Sequence, residues 1–144
     1  MSIFIVAEIG INHNGSMSIC KELIDVAIDS GCDAVKFQKR DIDKVYTQEF
    51  LNSHRKSPWG ETQREQKMGL EFDADEYQEI ESYCKKKNIE WFASAWDVNS
   101  QKFLRKFNSK YNKVASAMIV HTELLKEIAS EGKHTFISTG MTTY

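Results

Sequence analysis

The sequence predicts an α/β fold, and within that class a (β/α)8 TIM barrel, because short apolar runs and helical patterns alternate along the chain. Five apolar runs end in polar side chains and four amphipathic patterns separate them, which predicts parallel strands with right-handed crossovers. No G-x-G-x-x-G motif or P-loop follows any run, which argues against a doubly wound nucleotide-binding sheet. A complete barrel takes about 250 residues, so these 144 residues are expected to supply about the first five strands and four helices.

The first predicted strand, residues 4–7, leads into the polar, glycine-containing segment AEIGINHNG at residues 7–15. The apolar run stops at Glu8, and Asn12 and His13 follow in the loop. Since α/β folds bind ligands at the carboxyl ends of their strands, this segment predicts a functional loop. A solvated turn between strand and helix is the alternative that the segment alone leaves open.

The remaining predicted strands share one pattern, an apolar stretch that ends in Lys, Gln or Ser. At the carboxyl ends of barrel strands, such side chains are expected to face a ligand. These strands are residues 34–38 (AVKFQ), 91–94 (WFAS), 113–116 (KVAS) and 135–138 (TFIS).

Capping residues mark the ends of the predicted helices. Ser16 is a candidate N-cap and Gly31 a left-handed stop for the first helix. Asp73 and Glu76 have the spacing of a capping box before a helix that ends near Asn88. Two further helices are centred on Phe103, Leu104 and Phe107 and on Leu124, Leu125, Ile128 and Ala129, the latter before Gly132.

One long connection, residues 39–72 and hereafter the insertion, interrupts this alternation. It contains the only proline, followed by Trp59 and Gly60, and charges of both signs. Connections of this length are usually functional or disordered. Because the insertion also carries aromatic and aliphatic side chains, disorder is disfavoured. We therefore predict a folded excursion over the substrate face.

The composition excludes several classes of protein. Nineteen basic and 21 acidic residues give a formal charge of −2, so the chain has no electrostatic footprint for nucleic acid. No apolar run approaches the roughly 20 residues that span a membrane. Cys20, Cys32 and Cys84 are scattered without metal-binding spacing and are expected to be reduced thiols. We therefore expect a cytoplasmic protein.

Five motifs together resemble the amino-terminal half of the sialic acid synthase family, which includes the N-acetylneuraminate, legionaminate and pseudaminate synthases. The motifs are AEIGINHNG, GCDAVKFQKR, FASAWD, NKVASA and FISTGM, and the resemblance covers residues 3–143. It implies that residues 1–144 form an incomplete barrel domain, without the later strands or the antifreeze-like carboxyl-terminal domain. It also implies a homodimer for the complete enzyme.

The resemblance implies a transferase that condenses phosphoenolpyruvate with an N-acetylated aldose such as N-acetylmannosamine. The product is a nine-carbon 2-keto acid, and phosphate is released. A divalent metal ion, Mn or Mg, activates the sugar aldehyde in the family, and its two histidine ligands are expected outside this chain. The metal site is therefore predicted to be absent from these residues.

Several residues match positions that bind phosphoenolpyruvate or the sugar in the family. Lys36 and Lys113 match lysines that bind phosphoenolpyruvate, and a lysine at a strand end is otherwise rare because burying an unpaired ammonium is costly. Ser116 and Ser138 match hydroxyls that donate to the phosphate. Gln38 matches an amide of the substrate site.

Glu8 matches the active-site glutamate, which handles a proton or orients water; a salt bridge to Lys36 is its structural alternative. Asn12 and His13 belong to the signature and are expected either to contact the sugar or support Glu8, or to serve turn geometry alone. Ser94 is expected to replace a threonine hydroxyl, because the segment SAWD at residues 94–97 departs from the Ser-Thr-Pro-Phe of many members.

Ala115 and Met118 are a second departure from the family pattern, since many relatives have glycine and glutamate at these positions.

Two hypotheses from other classes of protein remain open. The first is a barrel aldolase in which Lys36 or Lys113 forms a Schiff base. The second is a non-catalytic fragment or half-barrel that binds a partner, in which case the isolated chain is expected to be inactive and to self-associate.

Overall fold

The computed structural model describes residues 3–143. Its centre is a five-stranded parallel sheet in the order β1-β2-β5-β6-β7, and a separate two-stranded antiparallel sheet pairs β3 with β4. Neighbours in the main sheet follow one another along the chain, as expected for a barrel wall. The strands are β1 (Val6–Gly10), β2 (Ala34–Lys39), β3 (His54–Ser57), β4 (Gly60–Thr62), β5 (Glu90–Ala95), β6 (Tyr111–Val114) and β7 (His134–Ile137).

Four longer helices alternate with the main strands, and three short ones belong to the insertion. A single 3₁₀ turn follows β6. The helices are α1 (Met17–Asp29), α2 (Ile42–Val45), α3 (Gln48–Asn52), α4 (Gln63–Gly69), α5 (Ala74–Lys87), α6 (Val98–Arg105) and α7 (Thr122–Ala129), and the 3₁₀ turn is Ser116–Met118.

The predicted caps are confirmed. The Ser16 hydroxyl accepts a hydrogen bond from the Ile19 N–H at the start of α1, and Gly31 follows that helix with φ +77°. Asp73 and Glu76 form a complete capping box on α5. Because side chains satisfy the free N–H groups of the first turn, these helix starts are fixed by local sequence.

The largest departures from the predicted strand boundaries are in the first and fourth strands. The first strand begins at Val6 and continues through Glu8 to Gly10, so the carboxylate lies within the strand. The fourth strand ends at Val114, because the chain turns at Ala115, whose carbonyl accepts from the Met118 N–H. Ser116 therefore begins the 3₁₀ turn instead of ending a strand.

The sheet is strongly curved. The ring centroid of Phe4, just before β1, lies 5.2 Å from that of Tyr111 on β6 and 6.2 Å from that of Phe136 on β7. In a flat sheet with about 4.8 Å between strands, β1 and β7 would lie roughly 19 Å apart. The α/β class with a parallel sheet is thus confirmed, whereas β1 and β7 form no ladder within residues 3–143 and a closed barrel is not formed there.

The outer face of the sheet packs against the helices and carries the core. Tyr77 on α5 is completely buried, contacts Trp91 and donates its hydroxyl to the Gln38 carbonyl at 2.8 Å. Burial raises the pKa of the Tyr77 hydroxyl well above its usual value, so the phenol remains a donor. This bond fixes the carboxyl end of β2, where the candidate site lies.

The insertion is folded, as predicted, and packs on the loop after β1. The Trp59 indole lies directly on Gly69, where a Cβ atom would be 2.2 Å from the ring. A Cβ atom on Gly15 would come within 2.1 Å of the Gly69 carbonyl oxygen, so the backbones of the loop and the insertion are in direct contact here.

Within residues 3–143 there is no helix whose length and apolarity would let it cross a membrane.

Candidate active site

Strand register brings the predicted site residues onto one face of the sheet. Glu8 on β1 pairs with Lys36 on β2, and Ser94 on β5 pairs with Lys113 on β6. Gln38, two residues after Lys36, pairs with Ser94. Because side chains two residues apart in a strand share a face, these groups converge at the carboxyl ends of the strands.

Lys36 is buried and fully paired. Its Nζ lies 2.9 Å from Oε2 of Glu8 and donates to the Ser94 hydroxyl at 3.0 Å. The lysine side chain is 5% exposed, whereas that of Glu8 is 63% exposed. A buried ammonium is tolerated only with such partners. The salt bridge expected as one alternative for Glu8 is present, and the carboxylate also remains open to solvent and ligand.

Lys113 provides a second ammonium beside the first. Its Nζ donates to the Ser138 hydroxyl and, at 2.7 Å, to the Val114 carbonyl. Burial, followed by the positive charge of Lys36, lowers the pKa of the Lys113 ammonium, while Glu8 opposes this shift. The site thus contains two ammonium groups and one carboxylate, which is paired with Lys36, so its net charge is positive.

These groups line a cavity of about 390 Å³. Glu8, Lys36, Lys113 and Ser138 form its polar wall, and aromatic rings form its floor. A volume of this size suits a small metabolite. The cavity therefore offers cations and a hydroxyl to a small anionic ligand on an apolar base. The floor rings are Phe4, Phe92 and Phe136.

The other predicted residues lie at the margin of this cavity or outside it. The Gln38 amide lies near the end of β1, where a Cβ atom on Gly10 would be 3.4 Å from Nε2 of Gln38. Ser116 is exposed, and a Cβ atom on Gly140 would lie 2.9 Å from the Cβ of Ser116. Asn12 is exposed in the loop after β1.

His13 is buried away from this cavity. Its ring stacks on Phe72 with 3.9 Å between centroids, and Nδ1 accepts from the Gly15 N–H at 3.2 Å. Burial, followed by the charge of Arg40, lowers the pKa of His13 from 6.5 to about 4. This geometry favours the turn-geometry alternative for His13, since a neutral imidazole here holds the loop against the insertion.

Sequence reasoning missed Arg40. Arg40 is only 6% exposed, and its Nε pairs with Oε1 of Glu71 at 2.6 Å. The sequence feature that could have revealed it is the adjacent basic pair Lys39 and Arg40 at the end of an apolar strand, but the carboxylate partner, Glu71, comes 31 positions after Arg40.

Among residues 3–143, no three His, Cys, Asp or Glu side chains come together as metal ligands.

The fold and the site together define a parallel α/β protein with a cavity at the carboxyl ends of its strands that is lined by two lysines and one glutamate. The chain belongs to the NeuB family, whose sequence model matches residues 23–144. The sialic acid synthase resemblance drawn from the five motifs is thus confirmed.

Similar proteins include synthases for several sialic-type acids. The chain is 38% identical over 147 residues to an N-acetylneuraminate-9-phosphate synthase of Drosophila melanogaster, with 99% of this chain and 39% of that protein covered. It is 33% identical over 144 residues to an N,N'-diacetyllegionaminic acid synthase of Campylobacter jejuni, with 95% of this chain and 42% of that protein covered. The chain thus spans about two fifths of the length of these relatives.

A solved structure agrees with the fold. The N-acetylneuraminic acid (sialic acid) synthetase from Leptospira borgpetersenii, crystallised with citrate, superimposes with a TM-score of 0.84 at 26% sequence identity. The match covers 99% of this chain and 46% of that one.

Proposed function

We propose that the protein containing this chain condenses phosphoenolpyruvate with an N-acetylated aldose to a nine-carbon 2-keto acid and releases phosphate. The observation that carries this proposal is the pair of ammonium groups, Lys36 and Lys113, that line one cavity together with a single carboxylate, Glu8. Phosphoenolpyruvate has a carboxylate and a phosphate close together, and charge-assisted hydrogen bonds to both need at least two cations.

The proposed reaction makes one carbon–carbon bond. Carbon 3 of the enol attacks the sugar aldehyde, whose oxygen becomes a hydroxyl, and positive charge develops at carbon 2. Water adds to carbon 2 and loses a proton. The carbon–oxygen bond to phosphate then breaks, which leaves a ketone and free phosphate. Lys36 and Lys113 hold the two anionic groups, and Ser138 donates a hydrogen bond beside them.

Glu8 has the position for the proton step. Its carboxylate is held by Lys36 at 2.9 Å, yet much of it faces the cavity. A fixed carboxylate next to the reacting carbon can orient the water and accept its proton. Gln38 and Ser94 lie at the same strand ends and support the substrate site from the β2–β5 side.

The proposal also includes a divalent Mn or Mg ion, a homodimer and a cytoplasmic location. The described residues do not fit a metal site, because Glu8 is a single carboxylate already paired with a lysine and no cluster of three ligands forms among residues 3–143. No step is therefore assigned to the ion from these side chains.

The aldolase alternative has one observation in its favour. The pKa of Lys113 is lowered, which is the condition for an amine nucleophile. The same ammonium donates two hydrogen bonds, to Ser138 and to the Val114 carbonyl, which favours the charged form. Borohydride trapping with a keto acid separates the two mechanisms, since the synthase forms no imine.

The test of the proposed function uses N-acetylmannosamine and phosphoenolpyruvate carrying ¹⁸O in the bridge between carbon 2 and phosphorus. We expect a nine-carbon 2-keto acid, with the label in the released phosphate because the carbon–oxygen bond breaks. Lys36→Met and Lys113→Met should each raise the KM for phosphoenolpyruvate by about 10- to 100-fold, the loss expected for one hydrogen bond to a charged group.

Lys102→Met is the matched control, because Lys102 is exposed on α6. An unchanged KM in both site variants would remove these lysines from the site. Label retained in pyruvate, with no nine-carbon product, would identify simple phosphatase chemistry and overturn the proposal.

A further inference from the structure

The loop after β1 contains Asn14 followed by Gly15, the single Asn-Gly pair in the chain. In such a pair the backbone nitrogen of the glycine can attack the side-chain carbonyl carbon of the asparagine. Glycine has no Cβ atom to hinder this attack, and asparagine is among the thermally labile residues of proteins. The pair therefore has the residue types that undergo spontaneous deamidation through a succinimide ring.

Two other asparagines of the chain provide an internal comparison. Asn14, Asn88 and Asn108 are all exposed, and their φ angles of +50°, +57° and +49° place all three in the left-handed region. They differ in the residue that follows, which is glycine after Asn14, isoleucine after Asn88 and serine after Asn108. Because a following side chain hinders the attack, Asn14 is the reactive member of this set.

The attacking nitrogen of Gly15 is held in place by two contacts. Its N–H donates to Nδ1 of His13 at 3.2 Å. A Cβ atom on Gly15 would lie 2.1 Å from the Gly69 carbonyl oxygen, so the backbone has no room to move towards the insertion. A succinimide forms only when this nitrogen loses its proton and turns towards the Asn14 side chain. The reaction therefore requires the loop to open.

The insertion supplies the second of these contacts. Gly69 ends α4, and the Trp59 indole lies on it so closely that a Cβ atom on Gly69 would be 2.2 Å from the ring. The same indole lies 3.7 Å from the Cβ position of Gly15. Trp59 thus presses the end of α4 against the loop, and its removal should free the Gly15 nitrogen.

We propose that Asn14–Gly15 is a site of spontaneous covalent modification whose rate is set by the packing of the insertion on the loop. The Gly15 nitrogen gives its proton to solvent and bonds to Cγ of Asn14. The bond from Cγ to the side-chain nitrogen breaks, and that nitrogen takes up a proton and leaves as ammonia. Water then opens the succinimide. Attack at the side-chain carbonyl gives aspartate, and attack at the backbone carbonyl gives isoaspartate.

The two products have different consequences for the fold. Aspartate keeps the length of the backbone and places a negative charge just before α1, where the helix dipole favours it. Isoaspartate adds a methylene group to the backbone beside Gly15, where the contact with Gly69 leaves no space. The isoaspartate form should therefore separate the loop from the insertion and prevent their repacking.

The experiment compares the protein containing this chain with a synthetic peptide of residues 7–20 during incubation at neutral pH. Mass spectrometry of digested samples, with fragmentation that distinguishes isoaspartate from aspartate, follows each asparagine. We expect Asn14 to react in the peptide and at least about 10-fold more slowly in the native protein, because the loop must first open. Asn88 and Asn108 should remain amides throughout. Equal rates for Asn14 in the peptide and the native protein, or no reaction in the peptide, would overturn the proposal.

Two variants test the two contacts separately. Trp59→Ala should raise the rate at Asn14 towards that of the peptide, whereas Met68→Ala, which removes an exposed side chain next to Gly69, should keep the native rate. His13→Phe keeps a ring on Phe72 but removes the acceptor, so it should raise the rate about 2- to 10-fold, the effect of one neutral hydrogen bond. It also decides the matter if Trp59→Ala does not fold. An unchanged rate in a folded Trp59→Ala protein would overturn the proposal. A slower reaction in His13→Phe would do so too, since the imidazole would then act as the base.

The imidazole of His13 reports the structural consequence. In purified protein with isoaspartate at position 14, the pKa of His13 measured by NMR should rise from about 4 towards 6.5, because the ring is no longer buried against the insertion. Asn14→Asp carries the same charge without the longer backbone and should keep the low value. A low pKa in the isoaspartate form would show that the modification leaves the packing intact, which would contradict the predicted separation.

Discussion

The sheet and the insertion each bring cationic side chains together, but they do so in different ways. On the sheet, strand register sets Lys36 beside Glu8 and links Lys113 to Ser138. In the insertion, Arg40 and Lys67 come from separate elements and meet only because Tyr46 lies between them. In a parallel sheet, position along the strands therefore decides which side chains meet, whereas the cations of the insertion come together only after the insertion has folded.

One contact between the two regions is the buried ring of His13. It stacks on Phe72, at the end of the insertion, and accepts a hydrogen bond from its own loop. His13 can be buried and neutral only if the insertion is packed against the loop after β1. Its titration therefore reports whether the two regions form one unit.

The largest expected effect is a loss of stability at acidic pH caused by His13. The pKa of His13 is lowered from 6.5 to about 4 by burial and by Arg40. Below pH 6.5 the unfolded chain binds a proton that the folded chain does not bind until about pH 4, so the free energy of unfolding falls as the pH drops through this window. At 1.36 kcal/mol for each pKa unit, the loss reaches about 3 kcal/mol.

Denaturant unfolding between pH 7 and pH 4 measures this loss, and NMR titration of the imidazole gives the pKa itself. His13→Phe is the control, because it keeps an aromatic ring on Phe72 and should remove this part of the pH dependence. Titration of His13 near 6.5 would show that the insertion does not pack on the loop, which would contradict the comparison drawn above.

A second prediction tests whether the ion pair on the sheet is catalytic. In the protein containing this chain, Glu8→Gln should lower turnover by about 10²-fold or more while both substrates still bind, because a proton-handling group contributes on that scale. Steady-state kinetics with separate binding measurements check this. Glu49→Gln removes an exposed carboxylate of α3 and should leave turnover unchanged. Near-normal turnover in Glu8→Gln would make Glu8 only a structural partner of Lys36.

The same contrast explains what the sequence could predict. The second strand and the caps of α1 and α5 follow from local signals, since apolar runs, Ser16 and the Asp73 box act within a few residues. The convergence of Lys36 and Lys113 also follows, because parallel strands share one end. The end of the fourth strand was placed too late, since nothing local shows that the turn at Ala115 comes before Ser116.

The insertion shows the limit of such reasoning. Its apolar residues predicted that it folds, but the sequence does not reveal that Arg40 selects Glu71 or that Trp59 lies on Gly69. These contacts join segments far apart in the chain and depend on the shape of the packed surfaces. The burial of His13 was missed for the same reason, because its partner Phe72 lies at the far end of the insertion.

The smallest expected effect compares two capping boxes of the same kind, one in each region. Thr62 and Glu65 cap α4 in the insertion, and Asp73 and Glu76 cap α5 against the sheet. Replacing either N-cap by alanine should cost about 1 kcal/mol. Asp73→Ala should lower the global free energy of unfolding by that amount, because α5 belongs to the core.

Thr62→Ala should instead act locally. Because α4 lies within the insertion and not in the sheet core, its loss of stability should stay local. Its amide protons should exchange several-fold faster, which is the effect of about 1 kcal/mol. The amides of α5 should keep their protection from exchange. Hydrogen exchange together with denaturant unfolding separates these outcomes, and Ser82→Ala, an exposed position on α5 that caps nothing, serves as the control. If Thr62→Ala accelerated exchange throughout the sheet as Asp73→Ala is expected to do, the insertion and the sheet would unfold together, and the contrast between the two regions would be wrong.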